Sequence, residues 1–196
     1  MCLLLRLGAL ETLIVRLMTI ERVAESLSNK LLAALEVSDS DSRGKRASRI
    51  EWMGQFSLSQ WIIEGRVETL RLLSESKNCF IDGHFIATLV LSMGFIEHVL
   101  VIMLSSKGLS SHSPGIAGKL SLARSHNMVP NELLDRTDVL QKRRNPFIHM
   151  KSPSHEHSLS FRYINERRHP DAILQEDAEE SLHLAHLFFH HLKNTT

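Results

Sequence analysis

Apolar residues recur at helical spacing through most of the chain, and no stretch alternates with period two over a useful length, so the pattern predicts an all-α fold. Leu10, Leu13, Leu17, Ile20, Ala24, Leu27, Leu31 and Ala34 follow one another by alternate steps of three and four. Such a heptad seam predicts one long amphipathic helix from about Ala9 to Leu35. The seam suits either a coiled-coil dimer arm or a helix docked along its own domain, since Ile14 and Leu35 widen the stripe. The following segment, Ser38–Ser48, is polar and charged, holds one glycine and no large apolar residue, and reads as a flexible loop.

Beyond the loop, helical spacing returns. Residues from about Ser57 to Ser76, with Trp61, Leu70 and Leu73 among the apolar positions, predict an additional helix within a 49–79 segment packed on the core. Phe80–Ser106 predicts a central helix ended by Gly108, followed by a Ser/His/Pro/Gly-rich loop from Leu109 to Gly115 and a shorter helix over Ile116–His126. Pro130 suits the first position of the next helix, which carries Leu133, Leu134 and Leu140. Asn145–Pro146 predicts a kink or restart in that helix, because proline lacks the amide donor and pushes its predecessor out of the α region. Lys151–Pro170 reads as irregular chain or a short hairpin. A last helix is expected over Asp171–Leu192, with Ala178, Leu182, Ala185, Phe189 and Leu192 on one face and acidic residues favouring its N-terminal end. The expected organisation is an arm over residues 1–37, a loop over 38–48, an additional helix over 49–79 and a helical bundle over 80–196.

Composition narrows this picture. A hydrophobic share of 43% in 196 residues is enough for a real core, and a net charge of +1 leaves any electrostatic signal local. Cys2 and Cys79 are far apart and lack CxxC spacing, which argues against a disulfide framework or a zinc cluster and fits a reducing, cytoplasmic setting. The opening apolar run lacks a basic leader and is interrupted by Arg6, Glu11 and Arg16, unlike a signal peptide. Ile86–Ser106 approaches the length of a membrane span but carries Glu97 and His98 at its centre, and an acid there costs roughly 2.5–3.5 kcal/mol on insertion scales. A buried bundle helix, with no membrane partner, is the expectation.

One local charge anomaly carries chemistry. No acidic residue occurs between Asp138 and Glu156, while Lys142, Arg143, Arg144 and Lys151 surround His149. Arginine offers a planar fork of donors to a phosphate, and a helix restarting near Pro146 would aim free amides at the same anion. His149 would then sit in the first turn after the break, where a histidine can transfer protons near neutral pH. An arginine five places before a histidine is expected about once by chance in such a chain, and it occurs once. The weight lies in Asn145 following the arginine, the helix break and the acid-free basic run.

In that setting, Arg144-Asn145-Pro146-Phe147-Ile148-His149 resembles the motif of the HEPN superfamily: an arginine, usually a polar residue next, and a histidine after four to six intervening residues. The helix holding Gly94-Phe95-Ile96-Glu97-His98 resembles the first core helix of that family, Ile116–Met150 its middle helices, and Ala178–Leu192 its closing helix. The resemblance covers about 80–192 and leaves the first 79 residues outside. It implies a helical bundle paired as a homodimer, with both Arg–His motifs facing one cleft. It further implies a metal-independent RNA endonuclease without a cofactor, acting as a toxin or an antiviral-defence effector. RNA would be the substrate, and an antitoxin or defence-complex protein a further partner. On this resemblance Arg144 would stabilise the phosphate, His149 would handle protons and Asn145 would orient one of them, with Lys142, Arg143 and Lys151 holding RNA. Some members only dimerise or bind RNA or a partner, which is the alternative it leaves open. Some HEPN toxins carry a modifiable tyrosine two places after the histidine; this chain has Lys151 there, so neutralisation by that route is not expected.

Three further groups have less to offer. Glu179, His183, His186 and His190 share one stripe of the last helix, yet without cysteine or HExxH support they read as a polar flank rather than a metal site. His155-Glu156-His157 reads as loop. Glu97, on an apolar helix, should meet a cation or donor, either to orient the Arg–His site or as a structural ion pair.

Overall fold

A computed structural model describes residues 2–56, 67–109 and 115–195, with side chains at 18 and from 21 to 192 within those stretches. The predicted roles of Trp61, of the loop over 110–114, and of the side chains of Cys2, Leu10, Leu13, Ile14, Leu17 and Ile20 lie outside the described residues. The fold is all-α. Among the described residues it comprises seven helices and no strand: α1 (Cys2–Met53), α2 (Val67–Asp82), α3 (Phe85–Ser106), α4 (Ile116–Ser125), α5 (Asn131–Ile148), α6 (Leu159–Glu166) and α7 (Pro170–Thr195). The chain divides into two compact units, one ending at Lys45 and the other beginning at Arg46.

The expected loop at Ser38–Ser48 is instead part of α1. Its polar residues satisfy one another along the helix: Arg43 reaches Asp39 one turn back at 3.0 Å, and Ser42 Oγ donates to the Asp39 carbonyl. Arginine, lysine and alanine are good helix formers, and the single glycine costs about 1 kcal/mol. Polarity in this segment marks a solvated helix, not a break.

From Arg46 onward α3 is the hub, with α2, α4, α5 and α7 all packed against it. Leu89, Met93, Phe95, Ile96, Val99, Leu100 and Met103 of α3 are buried, and Leu184, Ala185, Phe188 and Phe189 of α7 close the core from the other side. α3 is long and apolar enough by composition to cross a membrane, and it lies in the middle of this bundle. The expected central helix starting at Phe80 is divided in two: Gly83, with φ of +83°, turns the chain between α2 and α3, so Phe80 belongs to the end of α2. Gly108 ends α3 as expected. It adopts φ of +67°, and Leu109 N–H and Gly108 N–H donate to the Leu104 and Ser105 carbonyls, satisfying the last turn. Asn127 does the same for α4.

Two further expectations are corrected nearer the site. Helix α5 does not restart at Pro146; it continues to Ile148 and is closed by His149 N–H donating to the Asn145 carbonyl at 2.8 Å. Proline removes one hydrogen bond, but here it falls in the last turn, where Phe147 packs against the core and holds the backbone in place. The stretch 151–170 contains a helix, α6, rather than a hairpin. Ser158 caps it by accepting from Phe161 N–H at 3.1 Å, and Arg167 ends it in the left-handed region.

Candidate functional site

Of the sequence-predicted residues, Lys142, Arg143, Arg144 and Asn145 lie on the C-terminal half of α5, His149 caps it, Lys151 follows it and Glu97 lies on α3. Arg144 is half-buried: burial pulls its guanidinium below the ordinary arginine value, while the charge of Glu97 on α3 acts in the opposite direction. Its Nε is buried and has no hydrogen-bond partner, as is Oε1 of Gln141 one turn back. Glu97 meets a cation as expected: Lys119 Nζ of α4 donates to it at 2.8 Å. A buried lysine and a half-buried carboxylate therefore meet between α4 and α3, and the charge of that carboxylate also reaches Arg144 of α5. Next to Glu97, His98 Nδ1 lies 3.1 Å from Thr69 Oγ1 of α2.

His149 is exposed and caps the C-terminal end of α5 with extended backbone, φ of −125° and ψ of 118°. It therefore sits at the end of the helix where the carbonyls point out. The helix amides predicted to converge on an anion are absent from this place, because the end of α5 presents carbonyls. No hydrogen bond or ion pair joins the side chains of Arg144, Asn145 and His149 among the described residues.

The basic run is acid-free in sequence but not in space. Lys142 pairs with Asp138 at 2.8 Å on the exposed face of α5. Arg143 donates to Asp177 of α7 at 2.8 Å, and Arg162 of α6 donates to both oxygens of the same carboxylate. Asp177 is fully buried, so a single carboxylate ties α5 and α6 to α7. Burial pulls the Arg162 guanidinium down, and its bonds and charge interactions with Asp177 and Glu166 more than offset this, for a net upward shift. Lys151 is exposed beyond the end of α5. His157 lies near Lys142 and Arg143, and its pKa is lowered by burial first and by those charges in part.

Asp177 is the functional-site residue that the sequence reading missed, having counted it among the acids favouring the start of the last helix. A signal was present: Ile173, Asp177, Ser181 and Ala185 recur at four-residue steps, so Asp177 lies on a stripe that is otherwise core. Arg162 carried no such mark.

The histidine stripe of α7 is dispersed among separate partners. Glu179 accepts from Gln175 Nε2, His183 Nδ1 lies 3.3 Å from Arg136, and His186 Nδ1 lies 2.6 Å from the Leu182 carbonyl. Phe56 stacks against His183 and His186. Among the described residues no group of three or more His, Cys, Asp or Glu is placed to hold a metal ion. Beside the stripe, Arg136 is paired bidentately with Glu180. Both line an open cleft of about 430 Å³, together with Trp52, Arg143, Glu176 and His183.

These features define a class of protein, an all-α bundle with a polar convergence at one helix end. No family profile, no curated protein and no solved structure matches the chain.

Proposed function

We propose that the chain is a HEPN-like, metal-independent RNA endonuclease of the toxin or antiviral-defence kind, with Arg144 and His149 as its catalytic pair. One observation carries this reading. Of the four basic residues on α5, Arg136, Lys142 and Arg143 each form an ion pair with a carboxylate, while among the described residues Arg144 forms none, its Nε has no partner, and Glu97 acts on it through charge alone. A half-buried guanidinium with a donor left over is suited to a phosphate that arrives from outside, because the cost of its desolvation is already met in the fold. His149, exposed at the end of the same helix, is free to approach the same substrate. On this reading Lys142, Lys151 and Asn145 would assist in holding the RNA, while Arg143 contributes through Asp177 to the setting of α5.

The reaction that suits these groups is attack of the RNA 2′-hydroxyl on the adjacent phosphorus. The P–O5′ bond breaks, leaving a 2′,3′-cyclic phosphate and a free 5′-hydroxyl. His149 moves the proton between the attacking and leaving oxygens, and Arg144 stabilises the charge that builds on the phosphorane-like oxygens.

A second reading has its own support. Arg144 and His149 share no contact, and in a regular helix five positions lie roughly 140° apart around the axis. A non-catalytic HEPN-like module that binds RNA or a partner would not need them joined. An RNA-cleavage assay on the wild-type chain beside Arg144→Ala and His149→Ala separates the two. Loss of cleavage in both variants, with helicity retained, supports the nuclease; two variants that cut as well as wild type sink it.

A further inference from the structure

The heptad face of α1 is bare over its described part. Ala24, Leu27, Leu31 and Ala34 are exposed, Leu27 at 58% and Leu31 at 59%, and so are Val23 and Leu35 beside them. Each such leucine, a little over half exposed, forgoes roughly 1–2 kcal/mol of burial. We infer that this face is covered by the same face of a second copy of the chain, in a parallel, in-register two-helix coiled coil over about residues 10–34.

The seam runs through eight positions without a stutter and spans about 36 Å of helix at 1.5 Å per residue. Leu10, Leu17, Ala24 and Leu31 occupy the first heptad position, Leu13, Ile20, Leu27 and Ala34 the fourth. Val15, Arg22, Asn29 and Glu36 fall opposite the seam, so that position is polar from Arg22 onward. A face of this kind is self-complementary about a two-fold axis.

Flanking charges choose the direction. In a parallel pair each residue just before the first position faces, on the other helix, the residue just after the fourth. That places Arg16 opposite Glu21 of the second copy, twice by symmetry, and leaves Lys30 opposite Leu35; no like charges meet. In an antiparallel pair with the same seam closed, Arg16 would face Lys30 and Glu21 would face Glu21, both repulsive. The inference concerns α1 and is independent of any role for Arg144 and His149.

Sedimentation of the full chain at micromolar concentration is expected to give twice the 22.3 kDa chain mass. Leu27→Lys/Leu31→Lys should give a monomer whose helical bundle still melts cooperatively. Arg16→Glu should weaken the dimer on the order of five-fold, and Arg16→Glu/Glu21→Arg should restore it. With Cys2 and Cys79 changed to serine, Ala34→Cys should form an intermolecular disulfide, since parallel helices set both copies of position 34 side by side. A monomeric wild type, or a dimer that survives Leu27→Lys/Leu31→Lys, overturns the inference. Failure of Ala34→Cys to crosslink in a chain that sediments as a dimer overturns the parallel arrangement.

Discussion

His186 shows how much a single side chain depends on its surroundings. In sequence it is one of four polar residues on a stripe; in the fold it is buried, and desolvation pushes its pKa down to about 4. The Leu182 carbonyl acts the other way, and Lys77, His190 and His183 add to the depression. Its folded value therefore lies below its unfolded value of about 6.5. The unfolded chain takes up a proton as pH falls through 6.5 that the folded chain refuses until about pH 4. Stability from this residue is complete above pH 6.5, is lost between 6.5 and 4, and changes little below. The full loss is about 3 kcal/mol. Urea unfolding at pH 7 and pH 4.5 should show a smaller acid-induced loss in His186→Leu than in wild type; equal losses would rule out His186 as the source. Asp177 is the matching case for charge. Replacing it by alanine leaves Arg143 and Arg162 without their buried partner and should destabilise the fold by about 3–5 kcal/mol, read by thermal or urea unfolding. A cost below 1 kcal/mol would mean the hub contributes little.

At the scale of elements, the same residue types mean different things in different positions. Gly44 lies inside a solvated helix with nothing within 4 Å of where a Cβ would stand, so Gly44→Ala should gain up to about 1 kcal/mol of helix stability. Circular dichroism should show equal or greater helicity, whereas Gly44→Pro should cut α1; no effect of proline would mean that the segment is not helical in solution. Gly83 is the opposite case. Its φ is +83°, and a Cβ there would sit 3.1 Å from the guanidinium of Arg49, which itself donates to the Ile81 carbonyl and lies over Phe85. Gly83→Ala should therefore cost about 1–2 kcal/mol of unfolding free energy. Pro146 shows why a breaker is not always a break: two residues before the helix end, with Phe147 packed against the core, it costs one hydrogen bond and the helix carries on to Ile148.

For the whole molecule, the proposed chemistry has consequences that a metal-dependent nuclease would not share. Cleavage by 2′-hydroxyl attack should persist in EDTA, should fail on RNA carrying 2′-O-methyl at the cut site, and should leave a 2′,3′-cyclic phosphate. Activity lost in EDTA and restored by magnesium or manganese would overturn that mechanism. The helical class and the α7 face of Ala178, Leu182, Ala185, Phe189 and Leu192 were legible in the chain, because helical period and apolar spacing are local properties. So were the glycine end of α3 and the need of Glu97 for a cation, which follow from backbone sterics and from the cost of burying a charge. The helical state of Ser38–Ser48 and the persistence of α5 through Pro146 were not legible. Polarity does not separate a solvated helix from a loop, and the anchoring of Phe147 is a tertiary contact. The site divides in the same way. Sequence alone marked Arg144 within a basic run, but Arg143 in that run is settled by a residue distant in the chain, while Lys142 pairs with Asp138 one turn back. Asp177, 34 residues from Arg143, draws that arginine inward. Glu97, brought to Lys119 of α4 by the packing of α3, also acts on Arg144 through its charge, and only the packing of the helices brings these three residues under one another's influence.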